Sequence, residues 1–582
     1  LMRSSAASDV YKRQIKMKNN KAFNKSNDRK SKKEKIIFYS LWVLIFCLCV
    51  LVSYFTVNEV IIKSWPLANK SYSPIVAKIL IIFIFTFLNL FFCYSVKKYV
   101  FMFIYHFYLK FKVKKDIKVK NEKYINSNIN NANYIVYVLY CTKDDFDENS
   151  ILKSMKQKYK NCKFFILDDS SDSEYIKKID QFSKIYDVEV VRRVEKKGFK
   201  AGNLNNFLSK YKNFDYFVVL DSDSIIPPDF IGKSLLYFQE DEKIGIVQSK
   251  NICNRQQNLF DYIGSYIHNV EQQADFTTRN IFGMQLFSGH NAIISKECFD
   301  SIGGLPQILG EDHGFSYQAF SKKFKIILAN NIFSYETYPI EYFFFKKRQH
   351  RWTIGGAEIV RYIWWPFLKS NENIFKKTDL IIAQTEMFLT TFTTIVSIFN
   401  ITILLPLNFT FNFSVWFIIM LTFLTLQPII NIFAFYLFKI NFFKLILICL
   451  FAYFVYTSMS IWIIRGALRG LFFKNQKFWV TPKRKNKNFS PWQIVVLSRW
   501  ELILSFLLII VLSLLFIFYS YNFLSVAWVF LFFIPWIISP FFFLLSWKKI
   551  DKKKNLILNI ERNNKKFCLL YTSDAADDRI SV

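Results

Sequence analysis

The chain has 582 residues and a formal net charge of +33, and 52% of its residues are hydrophobic and 19% aromatic. A chain this long and this apolar is unlike a single soluble domain. A strong positive charge first suggests nucleic-acid binding, but here the lysines flank long apolar stretches, as on the cytoplasmic side of membrane proteins. We therefore predict a multi-pass protein of the cell (plasma) membrane, whose partners include the lipid bilayer and no nucleic acid.

The nine cysteines contain no CxxC pair, and the five histidines are scattered along the chain. Several cysteines, among them Cys47, Cys93 and Cys449, lie inside apolar runs, where they resemble small buried hydrophobic residues. The spacing of these residues predicts neither a disulfide framework nor a zinc site.

Both ends of the chain resemble translated adapter sequence, in residues 1–14 and 568–582. Residues 1–35 also include a Lys/Asn-rich tail that we predict to be disordered. Because about 20 apolar residues cross a bilayer, the region 36–96 predicts two transmembrane helices, with basic residues on their cytoplasmic flanks. The Lys-rich and aromatic segment 97–129 predicts a linker that lies along the membrane interface.

Between residues 130 and 345, short β-branched and aromatic runs alternate with amphipathic segments. This alternation is typical of an α/β domain with a mostly parallel sheet. The predicted strands are 134–140, 163–167, 188–192, 216–220, 244–248 and 291–295, and the predicted helices are 149–159, 172–185 and 201–211. We therefore predict one α/β domain, of the size of a catalytic domain, that is inserted between transmembrane helices.

The remaining chain alternates apolar stretches with a basic loop. We predict interfacial helices at 346–380 and transmembrane helices with one interfacial segment at 381–472. The basic loop follows at 473–495, then two transmembrane helices at 496–547 and a basic tail at 548–582. The basic loop and the α/β domain should both be cytoplasmic, which requires an even number of crossings between them. We therefore predict that 445–472 lies in the membrane plane and that the chain crosses the bilayer six times.

Two carboxylate clusters follow predicted strands directly. Asp168-Asp169 comes after the second strand, and Asp221-Ser222-Asp223 comes after the fourth. Because ligands bind beyond the carboxyl ends of the strands in open α/β sheets, we expect both clusters at one binding edge. Asp223 and Asp221 are candidate ligands for Mg²⁺ or Mn²⁺, which prefer carboxylates together with substrate phosphates. Taken alone, each cluster is also compatible with a solvated turn.

Four further motifs follow in chain order. Lys200 opens a predicted helix after Gly198 and can meet a diphosphate as a point charge, although an ordinary helix start explains the motif as well. Glu311-Asp312 lies in a loop, and a basic-aromatic motif follows at Arg348-Gln349-His350-Arg351-Trp352. The last motif is Phe478-Trp479-Val480-Thr481-Pro482-Lys483.

The set and its order resemble the membrane-embedded family 2 glycosyltransferases of the cellulose synthase type, over about residues 75–545. The resemblance implies a GT-A-like α/β fold that binds a nucleotide-sugar. It implies a catalytic base at Asp312, supported by Glu311. The implied donor-binding residues are Tyr140, Thr142, Asp168, Asp169, Lys200, Asp221, Arg351, Thr481 and Lys483, the last two in a gating loop. The implied acceptor-binding residues are Trp352, His290 and Gln349, although His290 could equally be a core histidine.

The sequence departs from the family pattern at three places. Tyr140-Cys141-Thr142 lacks the usual Pro-x-x-Asn form, Gly310 replaces the threonine of the TED-type motif, and Arg348 stands at the first glutamine of Q-x-x-R-W. These changes affect the contact with the nucleotide base and the identity of the acceptor sugar more than they affect whether catalysis occurs.

The resemblance implies a processive, inverting β-glycosyltransferase that uses a UDP-hexose such as UDP-glucose and Mg²⁺ or Mn²⁺, and that moves its polysaccharide across the membrane. Accessory export proteins are possible partners. The alternative is a non-processive enzyme that adds one sugar to a membrane lipid. A non-enzymatic channel would carry ionisable residues within its spans, which are nearly free of them apart from Glu386.

Overall fold

In the computed structural model, residues 35–253, 258–399, 403, 407, 442–474, 489–519 and 530–547 are described. The chain divides into two compact units, Leu1–Phe55 and Thr56–Val582. The sheet, its helices and the candidate site all belong to the second unit.

The described part of the chain contains one sheet of seven strands, β1 to β7, in the order β3-β2-β1-β4-β6-β5-β7. The strands are Val136–Thr142, Cys162–Asp168, Glu189–Arg192, Tyr216–Asp221, Ile244–Cys253, Ala292–Ser295 and Lys325–Glu336. Strand β6 pairs antiparallel with β4 and β5, and the other pairings are parallel. The predicted mixed, mostly parallel sheet is confirmed.

The central strands are apolar because both of their faces are covered. Val138 and Val218 belong to the core on one face of the sheet, and Leu139 and Val219 belong to the core on the other. All four side chains are completely buried. Parallel strands covered on both faces read as continuous hydrophobic runs, which is why the sequence predicts them well.

Strand β7 is the element that the sequence pattern did not predict. Its apolar run is interrupted by Asn330 and Asn331, which are buried and accept hydrogen bonds from Thr277 Oγ1 (3.1 Å) and Tyr237 Oη (2.7 Å). Pairing with β5 includes a register shift between Ser249 and Lys250. Tertiary partners for polar side chains therefore stabilise a strand that local propensity does not indicate.

The helices are numbered α1 to α18 in chain order. Their bounds are Lys35–Ala68, Pro74–Ile125, Glu148–Ser154, Ser173–Tyr186, Phe199–Lys210, Phe230–Glu240, Leu259–Phe282, Lys296–Ile302, Glu311–Ser321, Tyr342–Tyr362, Trp364–Lys369, Ile374–Phe399, Phe442–Ser458, Ser460–Phe472, Pro491–Leu497, Arg499–Tyr519, Phe530–Ile537 and Ser539–Leu545. Helix α2 is 52 residues long and continues through most of the segment that we predicted as an interfacial linker.

Among the described residues, three helices are long and apolar enough to cross a membrane: Lys35–Ala68, Pro74–Ile125 and Arg499–Phe518. The pair Ile446–Ser458 and Ser460–Phe472 passes the same test together but is bent by 46°, as in a broken span or a re-entrant loop. These helices indicate a membrane protein. The in-plane arrangement of 445–472 stays a prediction, and residues 408–441 of the predicted transmembrane region 381–472 lie outside the described residues.

Helix α10, which carries the basic-aromatic motif, is anchored on two apolar helices. Gly470 of α14 approaches it so closely that a Cβ there would lie 2.5 Å from Ile354 O. Lys346 forms an ion pair with Glu501 of α16, and both side chains are completely buried. The position of α10 is therefore fixed by packing and by a desolvated ion pair.

Candidate active site

The carboxyl ends of three neighbouring strands bring the first carboxylates to one edge. Strand β1 lies between β2 and β4, and its register pairs Thr142 with Asp168 and Cys141 with Asp221. The loop before β6 reaches the same edge, because Asn291 N donates to Val219 O at 2.8 Å. The expected juxtaposition of the two clusters at the strand ends is present in the structure.

Two adjacent arginines at the end of β3 hold the Asp168-Asp169 pair. Arg192 Nε donates to Asp168 Oδ2 at 2.6 Å, and Arg193 binds both oxygens of Asp169, at 2.9 and 2.6 Å. Such bidentate, charge-assisted pairs fix the orientation of a carboxylate. Ser170 N also donates to Asp168 Oδ1 at 2.8 Å. Both carboxylates are thus buried and preorganised.

Lys200 connects the second cluster to the loop before β6. Its ammonium group donates to Asp221 Oδ1 and, at 2.8 Å, to Gly289 O. Burial opposes the charged form of Lys200, but the Asp221 carboxylate outweighs it and raises the lysine pKa. The helix begins after Gly198, whose φ of 71° is left-handed and whose missing Cβ leaves room for Gln307. The lysine is therefore a fixed, fully charged group.

Asp221 and Asp223 differ in how they are held. Asp221 keeps 36% of its side chain exposed, whereas Asp223 is buried and accepts hydrogen bonds from the backbone N (2.9 Å) and hydroxyl of Thr337. Carboxylates two positions apart, of which Asp221 is accessible, fit a hard divalent ion such as Mg²⁺ or Mn²⁺. The donor chemistry of this pair is therefore compatible with the predicted metal.

Tyr140 and Thr142 stabilise the loop that carries Asp221 and Asp223. Tyr140 is completely buried, and its hydroxyl donates to Ser222 O at 2.7 Å. The Thr142 hydroxyl donates to Asp145 Oδ1 at 3.0 Å, and the other oxygen of Asp145 accepts from Ser222 Oγ at 2.6 Å. Contrary to our expectation of a nucleotide contact, the Tyr140 side chain turns into the core.

Glu311 and Asp312 begin α9 and face the loop before β6. A Cβ at Gly289 would lie 3.2 Å from Asp312 Oδ2, so only glycine lets this loop pass so close to the carboxylate. Burial, together with the neighbouring Asp312 charge, raises the pKa of Glu311 above its ordinary range, while Lys200 and Arg351 oppose the rise. Glu311 therefore favours its protonated form more than an exposed glutamate does.

Arg351 faces the carboxylates from α10. Burial lowers the pKa of its guanidinium. The negative charges of Glu311, Asp221 and Asp312 oppose this shift, Glu311 most strongly and Asp312 least. The thiol of Cys141 lies among the same groups: burial raises its pKa to about 12, and it senses the charges of Lys200, Asp221, Asp169 and Glu311. Residues from five separate motifs thus share one electrostatic environment.

Trp352 and Gln349 lie on the same helix as Arg351. The Trp352 side chain remains 39% exposed, and the Arg348 guanidinium lies over its ring at 4.6 Å and over the Tyr338 ring at 4.8 Å. Arg348, which replaces the first glutamine of the motif, is therefore an aromatic-stacked cation. Gln349 is partly buried beside it.

His290 is tied to two carboxylates. Its Nε2 bonds to Glu336 Oε2, and its Nδ1 lies 3.6 Å from Asp221 Oδ2. Burial works against its charged form, but Asp221 and Glu336 raise its pKa overall. Thr481 and Lys483 of the predicted gating loop lie outside the described residues.

Several residues of the site were not predicted from the sequence: Asp145, Arg192, Arg193, Glu336 and Thr337. Each contacts a predicted residue through at least one hydrogen bond or ion pair. A basic pair following the third strand was the one visible signal, since parallel β2 and β3 end side by side.

The geometry of the site alone indicates a class of protein. Paired carboxylates at the carboxyl ends of parallel strands, with a buried lysine and a buried arginine facing them, are typical of α/β enzymes that bind a phosphorylated ligand.

Comparisons with known proteins identify the proteins that part of this chain resembles. Residues 146–355 match the family model described as "Glycosyltransferase like family 2". The chain is 27% identical over 246 residues to Glucomannan 4-beta-mannosyltransferase 7 of Arabidopsis thaliana, an alignment that covers 40% of this chain and 44% of that protein. The chain thus aligns with less than half the length of this relative. The matched segment is similar to a family 2 glycosyltransferase domain, and the predicted GT-A-like fold class and the resemblance to the cellulose synthase type are confirmed.

Two solved structures are more distant. The mannosyltransferase PcManGT from Pyrobaculum calidifontis, in complex with GDP-Man and Mn²⁺, has a TM-score of 0.40 and 13% identity, and covers 64% of this chain and 98% of that one. GalNAc-T7 with UDP, GalNAc and Mn²⁺ has a TM-score of 0.28 and 14% identity, and covers 35% of this chain and 44% of that one.

Proposed function

We propose that the chain transfers a hexosyl group from a nucleoside-diphosphate sugar to a hydroxyl of a growing polysaccharide, with inversion at the sugar carbon C1 and with Mg²⁺ or Mn²⁺ as the cofactor. The observation that carries this proposal is the shared environment of Asp221, Lys200, Glu311 and Arg351 at the carboxyl edge of the sheet.

Donor binding is assigned to the strand ends. Asp168 and Asp169, oriented by their arginines, meet the base and ribose, while Lys200 and Arg351 face the diphosphate. Asp221 and Asp223 hold the divalent ion, which neutralises charge on the leaving diphosphate when bound. Positive charges around the anionic donor also stabilise the transition state more than the ground state, because negative charge moves onto the leaving group as the bond breaks.

The transfer step needs a base at the acceptor. The acceptor oxygen forms a bond to C1, the bond from C1 to the diphosphate oxygen breaks, and the hydroxyl proton passes to Asp312. Glu311 is the weaker candidate because its raised pKa favours a side chain that already carries a proton. Its role is to hold the site beside Arg351 and Lys200.

The acceptor approaches from the side of α10. The half-exposed Trp352 ring offers an apolar face for a sugar, and the helix is anchored on the apolar helices α14 and α16. A cytoplasmic site next to apolar helices would let a polymer enter the membrane as it grows. Processivity and export are therefore part of the proposal, and one-step addition to a lipid is the outcome that opposes it.

The sequence resemblance implies a UDP-hexose donor, whereas the name of the Arabidopsis relative points to a mannosyl donor. Purified protein in detergent would be offered UDP-glucose, UDP-N-acetylglucosamine and GDP-mannose with Mn²⁺, and nucleotide release and product length would be measured. We expect one donor to be consumed and to yield a long polymer. A product of one added sugar would refute processivity, and consumption of none would refute the transferase assignment.

The base assignment is tested by Asp312→Asn. We expect transfer to fall by about 10²–10⁴-fold, the usual contribution of a general base, while donor binding is retained. The matched control is Asp187→Asn, at the left-handed C-cap of α4, where asparagine is well tolerated. Near-normal transfer by the Asp312 variant would contradict the assignment.

A further inference from the structure

Cys253, His268 and Glu336 converge beside the candidate active site. Each offers one potential ligand atom, and these atoms all lie within 4.8 Å of one another. Cys253 ends β5, His268 lies in the middle of α7, and Glu336 ends β7. The cysteine and histidine spacing predicted no metal site, because this cluster is assembled by the fold and not by a local motif.

Two of the three distances between ligand atoms are close to the edges of a tetrahedral site, and the third, from Cys253 Sγ to His268 Nε2, is within 4.8 Å. His268 Nε2 lies 3.1 Å and Cys253 Sγ 3.7 Å from the same oxygen, Oε1 of Glu336. Zinc bonds of about 2.0–2.1 Å to nitrogen and oxygen and about 2.3 Å to sulfur give tetrahedral edges of about 3.4 Å and about 3.5 Å. Small side-chain adjustments would therefore suffice to bind an ion at the centre.

The backbone fixes the three residues independently of any ion. Cys253 and Glu336 are register partners on the adjacent strands β5 and β7. Asn269, next to His268, accepts from Cys253 N at 2.9 Å and donates to Cys253 O at 3.0 Å. These bonds tie α7 to the end of β5, so the ligand set is held in place before binding.

Glu336 is the ligand that the other two residues share. His268 Nε2 is a buried atom that lies 3.1 Å from Glu336 Oε1, the same oxygen that Cys253 Sγ approaches. The other oxygen of Glu336 is bound by His290, as carboxylate ligands of metals are commonly held by outer groups.

We propose that Cys253, His268 and Glu336 bind a divalent ion of the zinc type, with water or another small ligand at the fourth position. Thiolate and imidazole ligands favour Zn²⁺ and Co²⁺ over Mg²⁺ and Mn²⁺, so the site differs in chemistry from the Asp221 and Asp223 pair. The ion joins β5, α7 and β7. Because Thr337 follows Glu336 and donates to Asp223, the ion also stiffens the neighbouring loop.

The test uses Co²⁺ as a spectroscopic probe of the full-length protein in detergent. After chelation and removal of the chelator, Co²⁺ is titrated in. A thiolate-to-cobalt charge-transfer band in the near ultraviolet and intense visible bands of tetrahedral Co²⁺ are expected at one equivalent, and Zn²⁺ should abolish both. This readout needs no sugar transfer, so its result is independent of the proposed glycosyltransferase activity.

Three variants decide the ligands. Cys253→Ser should lose the charge-transfer band, and His268→Gln, which keeps the thiol, should bind Co²⁺ at least about 100-fold more weakly. Cys298→Ser, which removes another fully buried thiol, should behave like the wild type. Size-exclusion chromatography verifies that each variant folds. No charge-transfer band in the wild type, or a band that persists in Cys253→Ser, would overturn the proposal.

Discussion

Gly355→Ala tests whether close packing of α10 against the loop before Glu311 determines catalysis. A Cβ at Gly355 would lie 2.6 Å from Gly310 N and 2.8 Å from Gly310 Cα, both backbone atoms that cannot rotate away. The two segments must separate by roughly 0.8 Å to reach ordinary van der Waals contact. Gly310 directly precedes Glu311, so the catalytic pair moves with it. The same contact explains why glycine replaces the threonine of the TED-type motif.

The expected cost follows from two effects. Overpacking of this kind destabilises a protein by about 1–3 kcal/mol. Displacement of catalytic groups by about 1 Å can reduce turnover by about 10²-fold. We therefore expect Gly355→Ala to fold, to unfold at a somewhat lower temperature, and to turn over the donor about 10- to 100-fold more slowly.

The assay is nucleotide release from the consumed donor, measured well below the unfolding temperature of the variant. Gly303→Asn is the control, because its left-handed position tolerates asparagine and a Cβ there meets no atom within 4 Å. Wild-type turnover by Gly355→Ala would refute the reasoning, since the loop and the helix would then be free to move apart without effect.

The other predictions concern buried charges. Glu501→Gln leaves Lys346 without its buried partner and should destabilise the protein by about 3–5 kcal/mol, while Lys346→Met combined with Glu501→Leu should recover most of the thermal stability. Burial lowers the pKa of Lys250 from 10.5 to about 7. Between these two pH values the unfolded chain therefore binds the proton of Lys250 more readily than the folded chain does. Lys250→Met should therefore be more stable than the wild type below about pH 7, and thermal melts should show the gain disappearing towards about pH 10. Asp169→Asn breaks the bidentate pair with Arg193 and should weaken nucleoside-diphosphate binding by about 10- to 100-fold in calorimetric titrations; unchanged affinity would contradict the assignment.

The strands and their ends were predictable because burial on both faces leaves a clear sequence pattern. Runs such as Val136 to Tyr140 are typical of central strands of an α/β sheet, and acidic residues that directly follow parallel neighbouring strands reach the same edge. The order of the motifs then indicated the resemblance to cellulose synthase-type glycosyltransferases without any coordinates.

Side-chain direction and long-range pairing were not predictable. Tyr140 alternates into the core because the period of a strand is two, and the phase is set by neighbours distant in sequence. Strand β7 depends on partners for Asn330 and Asn331 that lie on α7 and α6. The cluster of Cys253, His268 and Glu336 likewise needs the register of β5 and β7, which no local spacing encodes.

The most direct test of the proposed site is the position of a bound manganese ion. Crystals grown with Mn²⁺ and the nucleoside diphosphate of the accepted donor would be measured at a wavelength that gives anomalous scattering from manganese. We predict one strong peak about 2.1–2.3 Å from a carboxylate oxygen of Asp221 or Asp223, with the diphosphate reaching Lys200 and Arg351. A manganese peak elsewhere, or a nucleotide bound away from this edge, would contradict the account.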